Sequence, residues 1–267
     1  MGSNPDRNAG GFRTMAAIQG RFTGKVALVT GAARGIGQRN ALDMASEGAY
    51  VILSDIDEAP LKTTQAEIEN NGGRCSLRRC DLTDPDQVSE LIRETVATAG
   101  TIDILVNNAG YLPVGGIEDL DEATLVRTLG INVKAVLYCI REVAPIMKSR
   151  QYGKIVNVAS ITGKNGDNSS SPVYGASKGA VITLTRSIAR ELGPFNVNCN
   201  AVAPHAVMTD MMSYWDEERK QRAADAIPLK RLGTVEDISR LMMFLAADES
   251  SFITGETINI NGGYYMD

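Results

Sequence analysis

A single histidine, His205, in a chain of 267 residues excludes chemistry that needs several imidazoles. The four cysteines, Cys75, Cys80, Cys139 and Cys199, show no CxxC spacing, so they form no zinc pattern and read as reduced, mostly buried thiols. No metal site is expected. Positive charge is also short: 27 Lys and Arg against 32 Asp and Glu give a net charge of −5 and a pI near 5.1, which leaves no electrostatic footprint for nucleic acid. No apolar run approaches the roughly 20 residues that cross a bilayer. Residues 1–20, rich in Gly, Asn and Arg, lack the apolar stretch of a signal peptide and read as a disordered extension or tag, with Met15 as an alternative start. These absences point to a soluble cytoplasmic protein with neither membrane nor nucleic acid among its partners.

What is present is alternation. Short apolar runs at Lys25–Thr30 and Tyr50–Ser54, and strand-length segments at Arg74–Cys80, Ile102–Val106, Lys154–Val158, Val197–Val202 and Thr257–Ile260, are separated by helical patterns. Those patterns reach Glu47 and then cover Glu58–Asn70, Pro85–Ala99, Glu122–Lys148, Val173–Leu192 and Thr234–Ala246. Strands interleaved with helices imply a mostly parallel sheet covered on both faces, an α/β doubly wound fold in one domain over residues 21–267. Ile161–Pro172, rich in Gly, Ser and Asn, reads as a loop. Residues 204–232 carry Met208, Met211, Met212, Tyr214 and Trp215 ahead of the charged run Asp216–Arg222, and read as a substrate lid beyond the carboxyl end of a strand.

Four strand ends carry small or polar residues in the order a dinucleotide needs. Thr30 to Gly37 (TGAARGIG) joins the first strand to the first helix. Glycines there, Gly31, Gly35 and Gly37, let the backbone come close to a pyrophosphate, while Arg34, Ile36 and the helix N-terminus complete the turn. Asp55, eighteen positions after Gly37, ends the second strand, where a carboxylate accepts from ribose hydroxyls and repels a 2′-phosphate. Arg34 pulls the other way, and no basic residue follows Asp55 closely, so NAD is favoured over NADP. Asp81 and Leu82 close the third strand, either against an adenine or with Asp81 as the cap of the next helix. Asn107, Asn108, Ala109 and Gly110 close the fourth, where small residues suit a ribose or a satisfied turn.

Tyr174 and Lys178 stand one helical turn apart on one face. A cation beside a phenol favours the phenolate, which lets the tyrosine move a proton on and off a substrate oxygen near neutral pH.

With these motifs in place, and with Asn132, Ser160 and the run Asn200–Thr209, the chain resembles the short-chain dehydrogenase/reductase family from Phe22 to Gly263. The resemblance implies a seven-stranded Rossmann-type sheet of order 3-2-1-4-5-6-7 and a catalytic set of Asn132, Ser160, Tyr174 and Lys178. It also implies that Val207 and Thr209 hold the nicotinamide carboxamide, that Tyr174 and Lys178 also contact the cofactor, and that Asn132 holds a water linking Lys178 to solvent. A homotetramer or homodimer is expected on the same ground. Two departures stand out: Pro204 is followed by His205 instead of glycine, and the Ser160 to Tyr174 spacing is fourteen, one longer than is common.

The expected activity is NAD-dependent interconversion of a secondary alcohol and a ketone, with the alcohol or ketone as the small-molecule partner. The alternative is NADPH-dependent reduction of a 3-oxoacyl thioester or another carbonyl. From a different class, Gly175 to Gly179 matches GxSxG with Glu191 and His205 downstream, the chain order of a serine esterase, although no strand leads into Ser177. A catalytically idle nucleotide-binding scaffold is the remaining alternative.

Overall fold

The computed structural model describes residues 20–166, 170–209 and 215–267. Nearly all of the expected extension, and Met211, Met212 and Tyr214 of the expected lid, lie outside those residues. Phe22 is where the chain joins the body: its ring is buried and its amide donates to the Glu47 carbonyl.

Among the described residues, seven strands form one parallel sheet: β1 (Val26–Thr30), β2 (Tyr50–Asp55), β3 (Arg74–Arg79), β4 (Ile104–Asn107), β5 (Gly153–Val158), β6 (Val197–Pro204) and β7 (Thr257–Ile260). Their order is β3-β2-β1-β4-β5-β6-β7. The central strands are apolar on both sides because helices cover both. Ala27 and Val29 of β1 face helices α1 (Gly35–Ser46), α2 (Glu58–Asn70) and α9 (Val235–Ala246). Val26 and Leu28 face α3 (Pro85–Ala99), α5 (Ala135–Arg150) and α7 (Pro172–Leu192). The chain leaves β1 toward β3 on one side and returns to β4 on the other, so a crevice opens where the two halves diverge above β1 and β4.

Local sequence explains the helices. Asp84 accepts from the amides of Asp86 and Gln87, Pro85 fills the first position, and left-handed Gly100 ends α3. Thr234 and Asp237 form a reciprocal capping box at the start of α9, whose Ile238, Met242 and Leu245 point into the core. Asp81 is therefore not a helix cap; its Oδ1 instead accepts from the amide and hydroxyl of Thr83, three residues before the cap.

Two segments differ from the sequence expectation. The loop after β5 contains a single helical turn, α6 (Thr162–Asn165). The helical pattern of Glu122–Lys148 is two helices, α4 (Glu122–Leu129) and α5, joined by a wider π-helical turn at Gly130–Lys134 in which the Ala135 amide donates to the Gly130 carbonyl. Such turns shift the register of a helix face and recur at functional sites, and Asn132 sits in this one. By length and composition, the run Glu122–Arg150 is also long and apolar enough to cross a membrane, which a search for uninterrupted apolar residues misses. Its α5 part packs on α3, α7, β4 and β5, as a core helix does.

Beneath the crevice, Asn107 Nδ2 donates to Asn157 Oδ1 at 2.9 Å, and Asn157 Nδ2 donates to Thr185 Oγ1 at 3.0 Å. This buried chain ties β4 to β5 and α7. Asn157→Ala leaves the Asn107 amide without its acceptor and is expected to cost about 1–3 kcal/mol. Urea unfolding should show a lower midpoint at an unchanged slope.

Candidate active site

One cavity of about 620 Å³ runs across the carboxyl ends of the strands. At one end is the glycine turn. Helix α1 starts at Gly35 with no side-chain cap and no acidic residue in its first turn, so its leading amides face the cavity with their charge uncompensated. Gly31 and Gly35 adopt positive φ of 66° and 58°. Gly37 is required by contact: a Cβ there would lie 2.1 Å from the Gly31 carbonyl oxygen. The turn is held from below by Asn108, whose Nδ2 donates to the carbonyls of Thr30 and Gly31 at 3.1 and 3.0 Å. The Asn108 side chain thus serves the turn, and Ala109 and Gly110 line the cavity beside it. Ile36 is anchored against the core on the α1 side.

At the next strand end, Asp55 is fixed by two amides, Ala33 N–H to Oδ2 and Asp57 N–H to Oδ1, both at 3.1 Å. Its remaining lone pairs face the cavity edge. Arg34 is paired with Asp57, a second carboxylate that the sequence analysis did not single out. Arg79 lies in register with Asp55 across β2 and β3, its Nε donating to the Ile56 carbonyl at 3.2 Å. The basic residue near Asp55 therefore comes from the neighbouring strand and not from the following sequence. Asp81, Leu82 and Thr83 complete this wall.

The other half of the cavity carries the proton-transfer residues. Lys178 is only 4% exposed; its Nζ donates to the Val158 carbonyl at 2.7 Å and lies 5.8 Å from the Tyr174 ring centre. Burial disfavours its ammonium form and lowers it to about 8. Ser160 Oγ accepts from the Thr162 amide at 3.2 Å, which fixes the hydroxyl while leaving its proton to donate. Asn132 is held on all sides: Oδ1 accepts from Tyr111 N at 2.8 Å, and Nδ2 donates to Tyr111 O and Ser177 Oγ at 2.9 Å each. Its side chain positions the segment after β4, and Oδ1 keeps a second lone pair. Ser177 is fully buried within α7 and donates to the Tyr174 carbonyl, so it offers no exposed nucleophile of the esterase kind.

The cavity closes at the segment after β6. Val207 pairs with Gly233 as an isolated bridge, and the Thr209 methyl lies against Gly35, bringing that segment to the glycine turn. His205 lines the cavity with its ring stacked on Tyr264, centroids 3.9 Å apart. Trp215, ahead of helix α8 (Glu217–Ala226), also reaches the cavity. Tyr111, Arg127 and Ser170 line it as well and were not legible as site residues. The position of Tyr111 directly after Gly110 was the available signal; Arg127, with its guanidinium 4.2 Å from the Tyr111 ring centre, had none.

Residues 31–265 match the family model described as Enoyl-(Acyl carrier protein) reductase. A Thermotoga maritima 3-oxoacyl-[acyl-carrier-protein] reductase is 39% identical over 243 residues, covering 91% of this chain and 98% of that protein. The structure of a 3-oxoacyl-[acyl-carrier protein] reductase with bound NAD from Brucella melitensis superposes with a TM-score of 0.87 at 30% identity, covering 94% of each chain. An NAD+-bound xylitol dehydrogenase gives 0.86 at 34% identity, covering 91% of this chain and 99% of that one.

The buried lysine has a measurable consequence. Between about 8 and the ordinary lysine value the unfolded chain binds more protons than the folded one. The stability linked to Lys178 is therefore complete above the ordinary value and is lost as the pH falls toward about 8, a difference of about 3 kcal/mol. Lys178→Met is expected to abolish this pH dependence and to raise the melting temperature at neutral pH by several degrees. A variant no more stable than its parent would contradict it.

Proposed function

The chain belongs to the short-chain dehydrogenase/reductase family, and from that premise we propose that it is an NAD-dependent oxidoreductase interconverting a secondary alcohol and a ketone. The observation that carries the reading is the buried Lys178 behind the Tyr174 ring, in one cavity with the glycine turn and the Asp55 carboxylate.

A dinucleotide fits the residues present. Uncapped amides at the start of α1 suit its pyrophosphate, Asp55 its adenosine ribose hydroxyls, Asp81 and Leu82 its adenine, and Val207 and Thr209 its carboxamide. When bound, the nicotinamide supplies or accepts the hydride. The chain moves the proton. Tyr174 Oη and Ser160 Oγ hold the substrate oxygen, and Tyr174 gives or takes its proton. The Lys178 cation favours the phenolate and is itself fixed by the Val158 carbonyl. Asn132 and Ser177 hold the Tyr111 segment and the start of α7 in place around this pair.

NAD is preferred over NADP because two carboxylates, Asp55 and Asp57, face the position of a 2′-phosphate while Arg34 is already paired. Arg79, in register with Asp55 on the neighbouring strand, is an opposing charge close to this wall. The second reading, NADPH-dependent reduction of a 3-oxoacyl thioester, is favoured by the name of the Thermotoga maritima relative and its near-complete coverage. A homodimer or homotetramer belongs to the same proposal.

Tyr174→Phe should lower turnover by about 10²–10⁴-fold with cofactor affinity kept. Near-normal turnover would refute the assignment. Parallel assays of a secondary-alcohol panel and a 3-oxoacyl thioester, each with NAD(H) and NADP(H), separate the two readings. Asp57→Asn frees Arg34 and is expected to shift the kcat/KM ratio toward NADP about tenfold or more, the worth of one charge-assisted hydrogen bond.

A further inference from the structure

Ser170 has no place in the chemistry above, yet it lines the same cavity as Ser160, Tyr174 and His205. It is 7% exposed, and its hydroxyl has no hydrogen-bond partner among the described residues. A buried hydroxyl left in that state opposes folding, and native structures keep such a group where a ligand completes it. Its backbone is not free to relocate: the next amide, Ser171 N–H, donates to the Pro113 carbonyl at 3.1 Å, and Pro172 then begins α7. One rotation about Cα–Cβ is the freedom that remains, and it swings the hydroxyl among staggered positions at the cavity wall.

The proton-transfer pair already accounts for the oxygen on the reacting carbon, so a further hydroxyl four residues before Tyr174 needs a different oxygen. We propose that Ser170 binds a second oxygen of the substrate, carried within two carbons of the reacting carbon, and so selects oxygenated substrates over plain secondary alcohols and ketones. A hydroxyl both donates and accepts, so a neighbouring alcohol, as in a vicinal diol or hydroxyketone, and the carbonyl of a 3-oxoacyl thioester present the same chemistry to it. The inference rests on the proposed oxidoreductase function and names the substrate feature that function reads.

The test compares the native protein with Ser170→Ala and Ser170→Thr on three substrates: 2-butanone, 3-hydroxy-2-butanone and the 3-oxobutanoyl thioester of N-acetylcysteamine. Ser170→Ala is expected to lower kcat/KM about tenfold on an oxygenated substrate and less than about twofold on 2-butanone, while Ser170→Thr, which keeps the hydroxyl, retains most of the difference. A loss confined to the hydroxyketone assigns the vicinal class, and one confined to the thioester assigns the 3-oxoacyl class. Equal loss on all three, or no loss on any, overturns the proposal. Thermal melting and cofactor binding of each variant show whether an equal loss is one of folding. If the native protein turns over none of a wide panel with either cofactor, it is the oxidoreductase reading that fails.

Discussion

The structure depends on a knot of five hydrogen bonds between the ends of two strands. Thr30 Oγ1, at the end of β1, donates to the Val106 carbonyl and accepts from the amides of Asn108 and Ala109. The Asn108 side chain returns to the Thr30 and Gly31 carbonyls. These contacts set the gap between β1 and β4, and everything in the crevice is measured from that gap. On one side the knot fixes the glycine turn and hence the direction in which α1 presents its amides. On the other it launches the segment whose Gly110 lies near Lys178, whose Tyr111 grips Asn132 and whose Pro113 holds the residue after Ser170. The nucleotide half and the proton-transfer half are therefore not independent modules. They share one anchor.

Against that anchor the fold holds a buried charge that is expensive to keep. Lys178 keeps an ammonium among buried residues with a single carbonyl as the bond to its charge that the structure defines. Polar groups around it are satisfied in chains, Asn107 to Asn157 to Thr185 and Asn132 to Ser177 to the Tyr174 carbonyl, which hold the surroundings of the charge in place. Stability given up at a single rigid point is what a preorganised charge requires.

The parallel sheet and the strand ends were legible because each depends on short-range patterns: runs of strand length, glycines at the turn, an acid at the end of β2; the strand order followed only from the family resemblance. Tyr174 and Lys178 were legible because helical spacing places them on one face. What the sequence concealed is of another kind. The π-helical turn at Gly130–Lys134 differs from its flanking helices by one residue in hydrogen-bond register, and its composition carries no mark of that. Asp57 looks like an ordinary helix cap until its pairing with Arg34 shows it neutralising a cation at the glycine turn. Arg79 lies beside Asp55 through strand register, and Ser170 stands out by lacking a partner among the described residues, so neither could be read from neighbours in sequence.

The strand order also bears on how the molecule comes into being. Strand β1, in the interior of the sheet, is synthesised before the other strands, but the neighbour that covers its second edge, β4, begins at Ile104. Until that stretch has emerged, β1 has an open edge of Ala27, Leu28 and Val29, the kind of surface that pairs with other chains. The knot at Thr30 cannot tie before then either. Its residues in β4 must arrive before the glycine turn has anything to close upon, and the crevice awaits β5 and β6 after that. Parallel sheets assembled from such distant segments fold slowly. The architecture that makes the cavity rigid thus leaves a long interval during synthesis in which the nascent chain depends on protection from its surroundings.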